Sequence, residues 1–118
     1  MVDGFKGDKD INNLIVNNLR RISKESSNNI INITFNTIYT KKILAKNDKG
    51  TITDYQSDVE TTFIITKKNS AENFVITEKF NFQKMADKYE EKNYERNIKK
   101  NFASSISQKL ALRLAIIE

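Results

Sequence analysis

Three groups of side chains in this sequence are of types that can do chemistry. Asp54, Asp58 and Glu60 lie at even positions of one short stretch. That spacing puts carboxylates on one face of a β-strand, where they can hold a hard cation or exchange protons. Lys41, Lys42, Lys46 and Lys49 crowd together just before Gly50, an arrangement suited to a phosphate. Glu78 interrupts an otherwise apolar phase. What is missing narrows the options. The chain has no histidine and no cysteine, which excludes disulfides, serine–histidine and cysteine–histidine nucleophile pairs, and zinc or haem sites built on those ligands. Only carboxylate, lysine or tyrosine chemistry remains. The acidic row reads most simply as a solvated sheet face, and Glu78 as an acid at a sheet margin near Thr61 that reaches water. No catalytic set, metal or cofactor is therefore expected.

The elements that must position these residues can be read from periodicity. Ile11, Leu14, Ile15, Leu19 and Ile22 form one helical stripe within Asp10–Ser23, with Asp8 or Asp10 as the cap and fraying expected by Ser26–Asn29. Alternation then takes over. Ile31, Ile33, Phe35, Thr37, Tyr39 and Ile43 share a face, with Asn32, Thr34, Asn36 and Ile38 opposite. A second run places Tyr55, Ser57, Val59, Thr61, Phe63 and Ile65 on one face and Asp54, Gln56, Asp58 and Glu60 on the other. A third has Phe74, Ile76, Phe80 and Phe82 in phase.

Matching apolar faces sets the registers. The first hairpin requires pairs such as Phe35–Phe63, Ile33–Ile65 and Tyr39–Val59, which a three-residue loop Asp48-Lys49-Gly50 supplies if Gly50 is left-handed. The second requires odd positions to meet even ones, as in Phe63–Ile76 and Val59–Phe80, around a turn at Asn69-Ser70. The last segment predicts a long helix capped by Asp87 with Glu90. Tyr94, Ile98, Phe102, Ile106, Leu110 and Leu114 form its stripe. Because a strict four-residue spacing drifts around the helix, Ala103 and Ser107 share the buried face. The tail Leu110–Ile117 is apolar on most sides, so it is either more buried than the rest or meets a partner. The expected architecture is α+β: an antiparallel meander with two helices on one face, order α-β-β-β-α, with a short extra N-terminal strand as the variant.

The length of 118 residues suits one domain spanning 1–118. No apolar run approaches 18 residues, and the start MVDGFKGDKD has no apolar core of a leader peptide. The net charge of +5 attracts phosphate. Lys, Ile and Asn number 16, 16 and 15, as an A/T-rich coding sequence would give, so charge alone names no ligand. Nucleic acid is not expected, because Phe35, Phe63, Phe74 and Phe80 lie in the core phase and leave few platforms for stacking bases.

The run Tyr55–Ile117 resembles the C-terminal two-thirds of the LptE family, outer-membrane lipoproteins of lipopolysaccharide assembly. The shared features are a strand, a Lys-rich turn, a strand ending in Phe80-Asn81-Phe82, and Met85-Ala86 before a long helix. That helix carries Glu90–Glu91 and ends in Ala103, Ile106, Leu110-Ala111 and Leu114, like alphaproteobacterial members. Ile11–Leu19 is similar to the family's first helix, Ile30–Tyr39 to its next strand, and Gly4-Phe5 to the Gly-Phe after the lipidated cysteine. Asp3 stands where that cysteine would be, so membrane attachment would run through a lipid anchor absent from these residues. The family usually has a strand before the first helix, for which Phe5–Asp10 is short. The resemblance implies a non-enzymatic plug, 1:1 with the LptD barrel, on the periplasmic side of the outer membrane. Lipopolysaccharide is the implied ligand, with Lys41, Lys42, Lys46 and Lys49 as its phosphate-binding candidates. The alternative is a small soluble nucleic-acid- or peptide-binding α+β module.

Overall fold

The computed structural model of the chain describes residues 2–23, 31–67 and 70–117. Its elements run β1 (Val2–Gly7), α1 (Lys9–Ser23), β2 (Ile31–Lys46), β3 (Ile52–Lys67), β4 (Ser70–Gln83) and α2 (Lys88–Ile117). The four strands form one mixed sheet in the order β1-β2-β3-β4. The fold is α+β, a two-layer sandwich with both helices on one face.

The first hairpin has the expected register: Phe35 faces Phe63, Ile33 faces Ile65 and Tyr39 faces Val59. Gly50 closes the loop with φ of 83°. Asn47 organises that loop by accepting from the backbone N–H groups of Lys49 (2.9 Å) and Thr51 (3.0 Å). The second hairpin keeps the expected parity but slides by two residues. Phe63 meets Phe74 rather than Ile76, and Val59 meets Glu78 rather than Phe80. This register sets aromatic against aromatic: Phe63 and Phe74 stack at 5.3 Å, and Tyr55 lies 5.6 Å from Phe82. Such pairs contribute about 0.5–1.5 kcal/mol beyond burial. Ser70 belongs to β4 and pairs with Lys67. Asn69 and the expected fraying at Ser26–Asn29 lie outside the described residues.

The N-terminal strand is the main difference from a pure meander. β1 runs parallel to β2, a pairing that needs a crossover, and α1 supplies it. Its alternation is hidden because a bulge lies between Val2 and Gly4. The extra residue lets Val2 and Phe5, three apart, both face the core side; Val2 packs against the core and Phe5 stacks on Phe35 at 5.6 Å. At the strand's end Gly7 takes φ of 98°. Asp8 then caps α1, its Oδ1 accepting from Ile11 N–H at 3.0 Å.

The core lies between sheet and helices. Ile11, Ile15 and Leu19 come down from α1, and Ile98, Phe102, Ala103, Ile106, Leu110 and Leu114 from α2, onto Ile31, Ile33, Phe35, Val59, Phe63 and Ile65. Each large apolar side chain so buried contributes roughly 1.5–3 kcal/mol. Ser107 shares the buried face, as the drifting stripe requires, and its Oγ accepts from the Asn18 Nδ2 of α1 at 3.2 Å. The buried Thr37 and Thr61 hydroxyls satisfy each other at 3.1 Å. In the tail, Leu110 and Leu114 are buried, whereas Leu112 and Ile116 are exposed, so burial is one-sided there too. At about 1.5 Å per residue, the 30 residues of α2 make it the ridge of a molecule 59 Å long and 22 Å wide.

Candidate functional site

The four candidate lysines do not converge. Strand alternation separates Lys41 from Lys42, and each meets a carboxylate on its own face. Lys42 Nζ is 2.7 Å from Asp58 Oδ2 on the outer face. On the inner face, Lys41 Nζ is 3.2 Å from Glu91 and 3.6 Å from Glu95 of α2, and sits 4.3 Å above the Tyr55 ring. Lys46 and Lys49 remain exposed at the hairpin tip, without an ion pair among the described residues. The acidic row divides too: Asp58 is engaged by Lys42, Asp54 accepts from the Thr53 hydroxyl, and Glu60 is exposed.

What the fold adds at this end is a second set of lysines. Lys84 bonds through its N–H to Thr53 O, which holds the β4–α2 connection against β3. Lys84, Lys88 and Lys92 then rim a cavity of about 550 Å³ whose floor carries Lys41, Glu91 and Glu95. Four lysines thus meet two carboxylates, and the excess positive charge faces the same end as Lys46 and Lys49. The i, i+4 spacing of Lys88 and Lys92 was legible as one helix face. Lys84 was not, because only the chain's return past Thr53 brings it alongside.

Under α2 the floor continues as a polar seam. Asp87 Oδ1 caps the helix, accepting from Tyr89 N–H (2.8 Å) and Glu90 N–H (3.3 Å). Glu90 does not return the bond as a capping box would. Glu91 instead reaches back to accept from Met85 N–H at 2.8 Å, since it is the acid on the side facing Lys41. Tyr39 donates to Glu95 at 2.6 Å and pairs with the Ser57 hydroxyl at 2.7 Å. Lys99 completes the row, 2.9 Å from Asp8 and 4.5 Å above the Tyr39 ring. Burial, then the bond to Glu95, pushes the Tyr39 phenol well above its ordinary value. Burial alone would lower Lys41, but Glu91 and Glu95 outweigh it and raise the ammonium. Tyr39→Phe should therefore destabilise the protein by about 1–3 kcal/mol, the cost of unpaired buried partners. A urea midpoint equal to that of the parent would show that the seam does not hold α2 down.

Glu78 sits at the sheet margin opposite Val59, not Thr61. It accepts from Ser105 (2.8 Å) and Lys109 (2.5 Å) of α2. Partial burial pushes the Glu78 and Glu91 carboxyls up, but the Lys109 and Ser105 bonds at Glu78, and Met85 N–H and Lys41 at Glu91, hold both below the ordinary range. Depressed carboxyls stabilise the fold above their unfolded pKa of about 4.3, and that stability is lost as pH falls through the folded values. Stability should therefore drop below about pH 4, and the drop should be shallower in Glu78→Gln/Glu91→Gln. Parallel pH–stability curves for the variant and parent would contradict this.

Neither a protein-family model nor a curated relative matches the sequence. Solved structures do match. Rare lipoprotein B of Shewanella oneidensis superposes with a TM-score of 0.70, covering 98% of this chain and 98% of that one at 13% identity. A minor lipoprotein of Acinetobacter baumannii gives 0.54, 93% of each chain and 11% identity. Lipoprotein B of Nitrosomonas europaea gives 0.52, 95% of this chain, 84% of that one and 15% identity. The fold is that of these lipoproteins. Among the described residues no helix is long and apolar enough to cross a membrane.

Proposed function

We propose that this chain is an LptE-like, non-enzymatic component of lipopolysaccharide assembly, lipid-anchored at the periplasmic side of the outer membrane and seated 1:1 as a plug in an LptD-like barrel. The observation that carries this reading is the fold match to rare lipoprotein B over 98% of both chains, since that type of lipoprotein is the LptE family. The outer sheet face supports it. Asp58 lies beside Lys79, Glu60 beside Thr77 and Gln56 beside Asn81, a polar stretch of the kind that suits a polar barrel lumen, bordered by the exposed Ile38, Ile64 and Val75. Co-expression with the barrel and affinity purification tests the partnership; recovery of the two proteins only in separate fractions would sink it.

Lipopolysaccharide phosphates would be held at the basic end. Lys46 and Lys49 are the free members of the hairpin cluster, with Lys84, Lys88 and Lys92 across the cavity rim. Lys41 and Lys42 are already committed to carboxylates. Lysine recognises charge rather than shape, and exposed charges are screened over about 8 Å at physiological salt, so binding should weaken with salt. Lipopolysaccharide binding should fall for Lys46→Glu/Lys49→Glu and hold for Lys67→Glu at the other end of the sheet. Equal losses would mean a diffuse basic surface without a site.

A further inference from the structure

The two edges of the sheet are built differently. β1 is short, carries a bulge and ends in Lys6-Gly7. Those are the devices by which edge strands avoid pairing with other chains. β4 is neither short nor bulged, and its charges are Glu72, Glu78 and Lys79. It runs 14 residues, contains no proline, and pairs with β3 without a register shift from Ser70 to Gln83. Among the described residues its far side has no strand partner and no backbone bond reaches it. Its charges are also largely spent. Glu72 is held by Arg113 and Glu78 by Lys109 of α2, leaving Lys79 as the one charge on β4 without an ion pair among the described residues. Apolar side chains flank the open edge on both faces: Val75 is 52% exposed and Phe80 43%.

We infer that β4 pairs antiparallel with β4 of a second copy, joining two four-stranded sheets into one. Symmetry restricts how. A two-fold axis normal to the sheet keeps the helices of both copies on the same side, and directly opposed residues then share a face. One residue must therefore face itself. Only axes at Ile76 or Thr77 use nearly the whole strand. An axis at Ile76 opposes Phe74 with the partner's Glu78 and Phe80 with its Glu72. An axis at Thr77 opposes Phe74 with the partner's Phe80 and Val75 with the stem of its Lys79. It also sets two threonine hydroxyls together on the open face, a favourable cross-strand pair. No like charges are directly opposed, and Glu78, nearest to its own copy, carries Lys109 as a counter-ion. The Thr77 register is the one these side chains fit. This association does not rest on the function proposed above, and it belongs to copies that are not seated in a barrel.

A single strand pair with few side chains belongs at the small, weak end of protein interfaces, so the test is chemical trapping in the full chain. The sequence has no cysteine, which makes every introduced thiol unambiguous. Thr77 and Asn73 are both exposed outer-face positions. Opposed Cα atoms in such a pair lie about 4.5–5.5 Å apart, within the roughly 4.4–6.8 Å that a disulfide spans. Thr77→Cys should form a reducible dimer under mild oxidation. Asn73→Cys should not, because its own copy would lie roughly 27 Å away at about 3.4 Å per residue. Asn73→Cys mixed with Asn81→Cys should cross-link, since those positions oppose each other. Adding Phe80→Lys to Thr77→Cys should abolish the dimer while far-UV circular dichroism stays unchanged. Cross-linking of Thr77→Cys no faster than that of Asn73→Cys alone, or its persistence in the Phe80→Lys background, overturns the pairing.

Discussion

Gly7→Ala should be the most damaging single-methyl change in this protein. Two costs coincide at that position. Gly7 has φ of 98°, where an L side chain is strained by about 1–2 kcal/mol. A Cβ added there would lie 1.8 Å from the Thr37 carbonyl oxygen, inside any possible contact. The obstructing atom is backbone in β2, and the same oxygen accepts from Asp8 N–H at 3.0 Å. Relief must therefore break the junction that ends β1 and starts α1. The loss should exceed about 4 kcal/mol, in the tail of mutational effects. Gly50→Ala separates the two costs. Gly50 is also left-handed, at 83°, but nothing lies within 4 Å of a Cβ there, so only the backbone cost of about 1–2 kcal/mol applies. Urea midpoints of the two variants, measured side by side, check this. Equal shifts would mean that β1 moves away from Thr37 freely.

Ile106→Ala should cost about 2–5 kcal/mol, the range for truncating a fully buried aliphatic residue. Ile106 is 0% exposed and lies at the centre of the α2 stripe, where α2 is held by apolar contact rather than by the seam. Leu112→Ala is the control on the same helix. Leu112 is 69% exposed, and surface changes of that kind stay within about 0.5 kcal/mol. An unchanged midpoint for Ile106→Ala would show that α2 is not docked there. Alanine is the better helix former at both positions, so destabilisation by both variants alike would mean that Leu112 is packed as well as Ile106.

Periodicity alone determined the two helices, the three long strands, the first hairpin's register and the left-handed Gly50. Each follows from a short-range rule. A face repeats every two or 3.6 residues, and a three-residue loop has one place for a glycine. Asp87 was legible as a cap for the same reason, since a cap acts within one turn of its own helix, whereas the choice of Asp8 over Asp10 came from the structure. Family resemblance through Met85-Ala86 and the alanine–isoleucine–leucine ending pointed to the lipoprotein fold that the structure shares.

Tertiary structure decided the rest. β1 was hidden because a bulge put Val2 and Phe5 on one face at a spacing that no strand period contains. The second hairpin's register could not be chosen by parity, since a shift of two residues leaves every side chain on its own face. Only the pairing of Phe63 with Phe74 and Tyr55 with Phe82 separates the alternatives. Charge was the least legible property. Sequence places Lys41, Lys42, Lys46 and Lys49 in one cluster, but their distances to carboxylates depend on a strand and on a helix whose Glu91 and Glu95 lie far along the chain. Lys41 is taken by Glu91 and Glu95, Lys42 by Asp58, and Lys84 joins the basic end from across the sheet. Periodicity reports which side chains share a face. Which charges remain unpaired depends on what packs against that face, and long-range contacts alone settle it.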